Sequence, residues 1–203
     1  MRTLANAARK LKRHGSNRHL PTLWLMTDTQ RMPDPTAAVR RLPPGSAVIL
    51  RHYGHPKRTS IAYQLAVLCR ARGIVFLVAG DWRLAARVDA DGIHLPEYMT
   101  RMGLAAGAQL WRRARRRLLT IAAHDITGLR RASALQASAA VLAPVFPTKS
   151  HPGKTALGVQ RFRGMVCAAR VPVIALVGVN EKTMPSLITS GCAGIAGIGF
   201  AGA

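Results

Sequence analysis

The sequence predicts a single-domain (β/α)8 TIM barrel, and three observations lead to this fold class. Short apolar runs alternate with helical stretches rich in Ala, Arg and Leu at intervals of about 20 to 30 residues, which is typical of parallel strands with crossover helices. Eight such runs occur along the chain. The 203 residues are 49% hydrophobic and contain no linker-like tract, so one large core is expected. A doubly wound open sheet is the alternative, and the lack of a GxGxxG turn after the first strand counts against it.

Each strand is assigned to a short run of β-branched or other apolar residues, and each helix to the Ala- and Arg-rich stretch that follows it. The predicted strands span residues 23–27, 47–50, 74–78, 92–95, 118–122, 139–145, 172–177 and 194–198. The predicted helices span residues 34–42, 57–72, 82–88, 100–116, 126–136, 159–170 and 181–190. No helix is assigned after the eighth strand, so we expect a barrel with a missing or truncated last helix.

Residues 1–20 are predicted to form a basic N-terminal helix and lead-in, ahead of a barrel at 21–203. Four apolar side chains near the start fall on one helical face, with cations on the other: Leu4, Ala7, Ala8 and Leu11. This pattern lacks the continuous apolar core of a signal peptide and indicates an amphipathic helix at 2–14. We expect that helix to cover the groove beside strands eight and one.

The chain is strongly basic, with 30 Lys and Arg against 8 Asp and Glu and a formal net charge of +22. Such a field attracts polyanions, so nonspecific nucleic-acid binding in vitro is expected. The densest cluster, WRRARRR at 111–117, lacks the aromatic interleaving and zinc-ligand spacing of a nucleic-acid module. A solvated helix face is therefore the favoured interpretation of the cluster.

No apolar run approaches the roughly 18 residues that would span a bilayer, so no membrane span is predicted. Cys69, Cys167 and Cys192 stand alone in apolar segments, without a CxxC pair. They are predicted to be buried thiols in a reducing, cytoplasmic compartment. The sequence does not indicate an oligomeric state.

The segment VFPTKSHPGKTALG at 145–158 has the composition of an anion-binding loop. It follows a buried apolar run and supplies hydroxyls, ammonium groups and a glycine at which the backbone can approach a ligand. This inventory suits phosphate or diphosphate. A solvated surface loop is the alternative, and the position of the segment after the sixth strand of the pattern favours the functional interpretation.

Active sites of such barrels lie at the carboxyl ends of the strands. Half of the acidic residues follow strands there: Asp28, Asp81, Glu97 and Asp125. Helix capping is the alternative role for Asp81 and Asp125. Four histidines also fall at this rim, as candidate acids or bases or as packed, hydrogen-bonded residues: His52, His94, His124 and His151.

The chain resembles the thiamine phosphate synthase and thiazole tautomerase superfamily, from LWLMTD at 23–28 to CAGIAGIGF at 192–200. The matching blocks between them, in order, are ADGIHLPE (90–97), AAHD (122–125), APVFPTKSHPGKTALG (143–158) and PVIALVGVN (172–180). The resemblance implies a transferase of thiamine biosynthesis that joins a pyrimidine methyl diphosphate to a thiazole phosphate and releases diphosphate. It also implies magnesium, which with cations stabilises the departing diphosphate.

Carried across by position, the resemblance assigns three groups of residues. The implied catalytic residues are Arg51, His124, Lys149 and His151. The implied phosphate-binding residues are Thr148, Ser150, Lys154, Gly178, Gly197 and Gly199. The residues left for a metal ion are Asp81 and Glu97, each displaced from the family's own magnesium positions.

Several positions depart from the family's pattern. Tyr53 stands where the synthases have a lysine, and Gly80 and Met99 stand where they have the magnesium aspartates. A serine is replaced by Ala122, and the catalytic histidine of the tautomerase branch is replaced by Pro144. These changes count against magnesium and against tautomerase activity.

Three functions are therefore expected in this order. The first is a thiamine phosphate synthase-like enzyme with a degenerate magnesium and diphosphate site. The second is a noncatalytic or altered-activity barrel that binds a phosphate ligand. The third is a polyanion-binding protein for which the barrel is only the scaffold, and which would need a continuous basic face away from the rim.

Overall fold

The computed structural model describes residues 6–11, 19–147, 156–176, 178 and 182–198 of the chain. Within them, eight parallel strands close into a barrel in chain order. The strands are β1 Leu23–Met26, β2 Ala47–Leu50, β3 Val75–Ala79, β4 Gly92–Leu95, β5 Leu118–Ala123, β6 Ala139–Leu142, β7 Val173–Leu176 and β8 Gly194–Gly197. The predicted (β/α)8 barrel is confirmed, and the open-sheet alternative is wrong because β1 pairs with β8.

Helices connect consecutive strands, as the alternation in the sequence predicts. Helix α1 at 6–11 precedes β1, and the connecting helices are α2 Thr36–Arg40, α3 Arg58–Ala71, α4 Trp82–Arg87, α5 Glu97–Arg101, α6 Ala106–Ala114, α7 Ile126–Ala134, α8 Gly158–Ala168 and α9 Pro185–Ile188. The single helix predicted at 100–116 is wrong, because α5 and α6 divide that part of the chain. The break falls at Gly103, whose φ of +73° lies in the left-handed region, where a right-handed helix cannot continue.

Alternate residues of each strand face the barrel interior and the surrounding helices. The interior cluster consists of Leu20, Trp24, Met26, Ala47, Ile49, Leu77, Ala79, Ala139, Val141, Ile174 and Ala196. Trp24 is fully buried, and its indole Nε1 donates to the carbonyl oxygen of Pro21 at 2.6 Å. The other set of strand residues packs against the helices in a larger cluster. The interior is thus a packed core. The mouth at the carboxyl ends of the strands is therefore the expected place for a ligand.

Helix α1 is packed on the barrel through the face predicted for it. Ala8 and Leu11 are buried in the cluster that the helices share with the outer side of the strands. Residues 1–5 and 12–18 lie outside the described residues. The predicted position of this helix beside β8 and β1 stays a prediction. Among the described residues, none of the helices is long and apolar enough to cross a membrane.

Two of the three cysteines are buried, as predicted, and one is not. Burial raises the thiol pKa of Cys192 and raises that of Cys69 to about 12. The prediction for Cys167 is wrong, because this residue is exposed. It follows the buried Phe162 by five positions on α8, which turns it about 140° away from the core-facing side of the helix.

Candidate active site

The mouth of the barrel is lined by charged side chains that are distant in sequence. The alternation of strand residues brings Asp28, Arg51, Asp81 and His124 to the carboxyl ends of β1, β2, β3 and β5. Closure of the barrel makes these ends neighbours. The fold therefore gathers ionisable groups into one polar rim above an apolar interior.

Arg51 is held by groups at the end of β1. Its Nη2 donates to Oδ2 of Asp28 at 2.9 Å, and its Nε donates to the carbonyl oxygen of Thr27 at 2.8 Å. Burial raises the pKa of Asp28, but the amides of Arg31 and Gln30 and the Arg51 guanidinium outweigh it and leave this pKa below its ordinary value. Asp28 is thus an ionised partner that fixes the direction of the Arg51 side chain.

Asp81 and Asp125 both cap helices, as the alternative interpretation holds. Oδ1 of Asp81 accepts a hydrogen bond from the amide of Leu84 at 2.9 Å, and Oδ1 of Asp125 accepts one from the amide of Gly128 at 2.7 Å. The second carboxylate oxygen of Asp81 lies 3.7 Å from Nη1 of Arg58. Asp81 therefore has two partners within the chain.

Glu97 links Arg131 and His124. One carboxylate oxygen accepts from Nη2 of Arg131 at 2.6 Å, and the other lies 3.8 Å from Nε2 of His124. Nδ1 of His124 lies 2.7 Å from the carbonyl oxygen of Ala143, which can only accept, so Nδ1 carries the proton and Nε2 is the basic nitrogen of the neutral ring. The His124 side chain is 47% exposed, so this oriented imidazole presents Nε2 at the mouth.

Three of the four rim carboxylates share one role that the sequence did not reveal. Asp28, Asp81 and Glu97 each pair with an arginine. Two of the partners, Arg58 and Arg131, were missed because they lie on helices rather than at strand ends. The excess of cations was the available signal, since a carboxylate in a chain with 30 Lys and Arg is expected to have a basic neighbour.

Two rim histidines are packed, hydrogen-bonded residues. Nδ1 of His94 lies 2.9 Å from Oγ1 of Thr120, and Nδ1 of His52 lies 2.9 Å from Oγ1 of Thr27. Burial lowers the pKa of both rings, that of His94 to about 3. His52 and His94 are therefore packed residues of the kind that the alternative interpretation describes, and burial disfavours the protonated form of both rings.

Gly178 is placed where the end of β7 meets the segment after β6. Its φ is +72°, and a Cβ at this position would lie 2.5 Å from the Cβ of Phe146. Glycine is therefore required here by packing, independently of any ligand. Gly197 ends β8 and pairs with Leu25 of β1. The remaining residues that the resemblance assigned to phosphate or catalysis lie outside the described residues: Thr148, Lys149, Ser150, His151, Lys154 and Gly199.

The residues present do not fit the magnesium site that the resemblance implies. A Cβ at Gly80 would lie 3.4 Å from Cε1 of Tyr53 and 3.6 Å from the sulfur of Met99, so a phenol ring and a thioether border this position. Magnesium prefers carboxylate, phosphate and water oxygens. Among the described residues, no three His, Cys, Asp or Glu side chains group as a metal site, and Asp81 and Glu97 are engaged with arginines.

The basic cluster at 111–117, which forms the last turn of α6 and the residues after it, is hydrogen-bonded to other parts of the chain. Arg112 and Arg113 donate to the carbonyl and side-chain oxygens of Gln136, and Arg117 donates to Asp89. These contacts orient the guanidinium groups along the protein surface. Arg112 and Arg113 lie on α6, as the helix-face interpretation expects, and nonspecific nucleic-acid binding stays a prediction.

Comparison with known proteins agrees with the fold and with the family resemblance. The family model described as thiamine monophosphate synthase (TMP-TENI) matches residues 23–200. The chain is 29% identical to thiamine-phosphate synthase of Limosilactobacillus reuteri over 145 residues, covering 69% of this chain and 64% of that enzyme. It is 25% identical to thiamine-phosphate synthase of Persephonella marina over 181 residues, covering 86% of this chain and 85% of that enzyme.

A solved structure shows the same fold. Thiamine phosphate pyrophosphorylase from Pyrococcus furiosus superposes with a TM-score of 0.72 at 22% identity, covering 92% of this chain and 90% of that one. The family model matches a range that includes all eight strands. The chain therefore belongs to the thiamine monophosphate synthase family.

Proposed function

We propose that this chain is a thiamine phosphate synthase-like transferase that couples a pyrimidine methyl diphosphate to a thiazole phosphate. The observation that carries the proposal is the continuous family match over residues 23–200, which spans the whole barrel. The net charge of +22 over the whole chain supports it, because both substrates are phosphate esters that a field of positive charge attracts.

The reaction forms one bond and breaks another. The thiazole nitrogen bonds to the methylene carbon of the pyrimidine, and the bond from this carbon to the diphosphate oxygen breaks, with its electron pair leaving on diphosphate. The main demand on the protein is to stabilise that negative charge. Arg51, oriented by Asp28 at the end of β2, is suited to contact the diphosphate, with Lys149 and His151 as further cations of the proposed site.

The remaining proposed residues bind the thiazole phosphate. They are Thr148, Ser150, Lys154, Gly178, Gly197 and Gly199. Hydroxyls, an ammonium group and glycine amides at the carboxyl ends of the last strands are typical phosphate ligands of these barrels. The coupling itself transfers no proton, so His124, with Nε2 at the mouth, is proposed as a hydrogen-bonding catalytic residue of the site.

A second candidate function is a barrel that binds a phosphate ligand without catalysing the coupling. The contact of Gly80 with Tyr53 and Met99 favours it, because it leaves no carboxylate for magnesium at that position. Both candidates use the same mouth of the barrel and differ in whether diphosphate is released.

A coupling assay separates the two. The protein is incubated with the pyrimidine diphosphate and the thiazole phosphate, with magnesium or with EDTA, and thiamine phosphate is measured by chromatography. We expect product from the wild type and a loss of at least about tenfold in Arg51→Met, as expected for removing one charge-stabilising group. Absence of product in both buffers, with thiazole phosphate still bound, would replace the transferase by the binding protein.

A further inference from the structure

Arg58 is anchored at the ends of two strands near the mouth. It is the first residue of α3, and its Nε donates to the carbonyl oxygen of Arg51 at 3.1 Å. Its Nη2 donates to the carbonyl oxygen of Ala79 at 2.5 Å. The guanidinium group therefore bridges the ends of β2 and β3 and has a fixed position in the rim.

One nitrogen of this guanidinium group, Nη1, makes a longer contact than the other two. Nη1 lies 3.7 Å from Oδ2 of Asp81, which is longer than a hydrogen bond, and Oδ1 of Asp81 is held by the cap of α4. The Arg58 side chain is 15% exposed. Burial lowers the pKa of Arg58, but an arginine in a protein stays protonated. A permanent positive charge is thus held at the mouth, and its Nη1 makes only a long ion pair with Asp81.

Arg58 lies next to Gly80, the position at which magnesium does not fit. The peptide group that accepts the Arg58 hydrogen bond joins Ala79 to Gly80, and Gly80 is bordered by Tyr53 and Met99. The guanidinium carbon lies 5.6 Å from the centre of the Tyr53 ring. The fixed cation at this corner of the mouth is therefore an arginine, packed against an aromatic ring.

We propose that Arg58, together with Arg51, binds the diphosphate group of the ligand directly, without a metal ion. This inference rests on the proposed function for the identity of the ligand. The N–H donors of a planar guanidinium group match the oxygens of a phosphate, and Nη1 is the nitrogen that would turn from Oδ2 of Asp81 to the ligand. The site recognises a diphosphate ester or free diphosphate by hydrogen bonds and charge alone.

Isothermal titration with inorganic diphosphate tests this site apart from catalysis. In EDTA the wild type should bind diphosphate, with an affinity within about threefold of that in magnesium, and Arg58→Met should bind at least about tenfold more weakly, a loss typical of one charge-assisted contact. Arg87→Met is the matched control. Arg87 is exposed in the last turn of α4, at the opposite end of the barrel from the mouth, so binding should be unchanged.

A second pair of variants keeps the test valid if Arg58→Met does not fold. Gly80 has a φ of +71°, which aspartate and asparagine tolerate better than other side chains, and a Cβ there makes ordinary van der Waals contacts. Gly80→Asp adds a negative charge beside Arg58 and should weaken diphosphate binding in EDTA by about tenfold, whereas Gly80→Asn should change it by less than about threefold.

The outcomes separate the metal-free diphosphate site from the proposed transferase function. Diphosphate binding that requires magnesium, or that is equal in Arg58→Met and the wild type, overturns the metal-free site. Equal binding by Gly80→Asp and Gly80→Asn does the same. Metal-free binding that depends on Arg58, in a protein that makes no thiamine phosphate, supports the site and removes only the transferase.

Discussion

Replacing Gly178 by alanine tests the packing between the end of β7 and the segment that follows β6. The new Cβ would lie 2.5 Å from the Cβ of Phe146 and 3.1 Å from the carbonyl oxygen of Pro147, and both neighbours are part of or next to the backbone. At a φ of +72° the backbone is also strained for alanine. The strain costs about 1–2 kcal/mol and the overpacking about 1–3 kcal/mol, so the free energy of unfolding should fall by about 2–5 kcal/mol.

Gly103→Ala is the matched control for this prediction. Gly103 has a φ of +73° and no heavy atom within 4 Å of an added Cβ, so only the backbone strain of about 1–2 kcal/mol applies. Thermal unfolding followed by circular dichroism should show the midpoint of Gly178→Ala lowered by about 4–20 °C, and that of Gly103→Ala by about 2–8 °C. Equal losses in the two variants would refute the steric reasoning.

Three further predictions concern buried groups and helix ends. Between pH 6.5 and about 3 the unfolded chain binds a proton at His94 that the folded chain excludes, so acid should lower the stability of the wild type by at most about 1.4 kcal/mol per pH unit through this ring. Urea unfolding of His94→Gln at pH 7 and pH 5 should show a smaller pH dependence; an identical one contradicts the burial argument. In the same assay, Asp125→Ala should lower the free energy of unfolding by about 0.5–2 kcal/mol. Asp125→Asn should lower it much less, because an asparagine oxygen also caps α7. A thiol reagent should modify Cys167 first in the folded protein, since Cys69 and Cys192 are buried; a fast phase that survives in Cys167→Ser disproves this.

The fold was predictable because it follows from local repetition. Apolar runs placed all eight strands, although their ends differ by a few residues; for example, β6 ends at Leu142, ahead of Pro144, which lacks an amide hydrogen. The division of the helix predicted at 100–116 was missed, because the sequence does not show that Gly103 adopts a left-handed φ within an otherwise helical pattern.

The candidate site was predictable only in part. Strand ends placed Asp28, Glu97 and His124 at one mouth, where the structure also has them, since parallel strands share the direction of their carboxyl ends; their roles in a site stay predictions. The partner Arg58 could not be found in this way. It lies on a helix, and its approach to the carbonyl oxygen of Ala79 depends on how α3 packs against the barrel.

The sequence by itself determined the alternation of strands and helices, the extreme positive charge and the family, because each of these is written in residue type and spacing. Only the tertiary structure decided what the rim residues do. It engaged Asp81 as a cap, buried His94, and brought Tyr53 and Met99 to Gly80, where the resemblance implied a metal ion. The physical reason is that solvation, charge pairing and coordination depend on distances between residues remote in sequence, and closure of the barrel sets those distances.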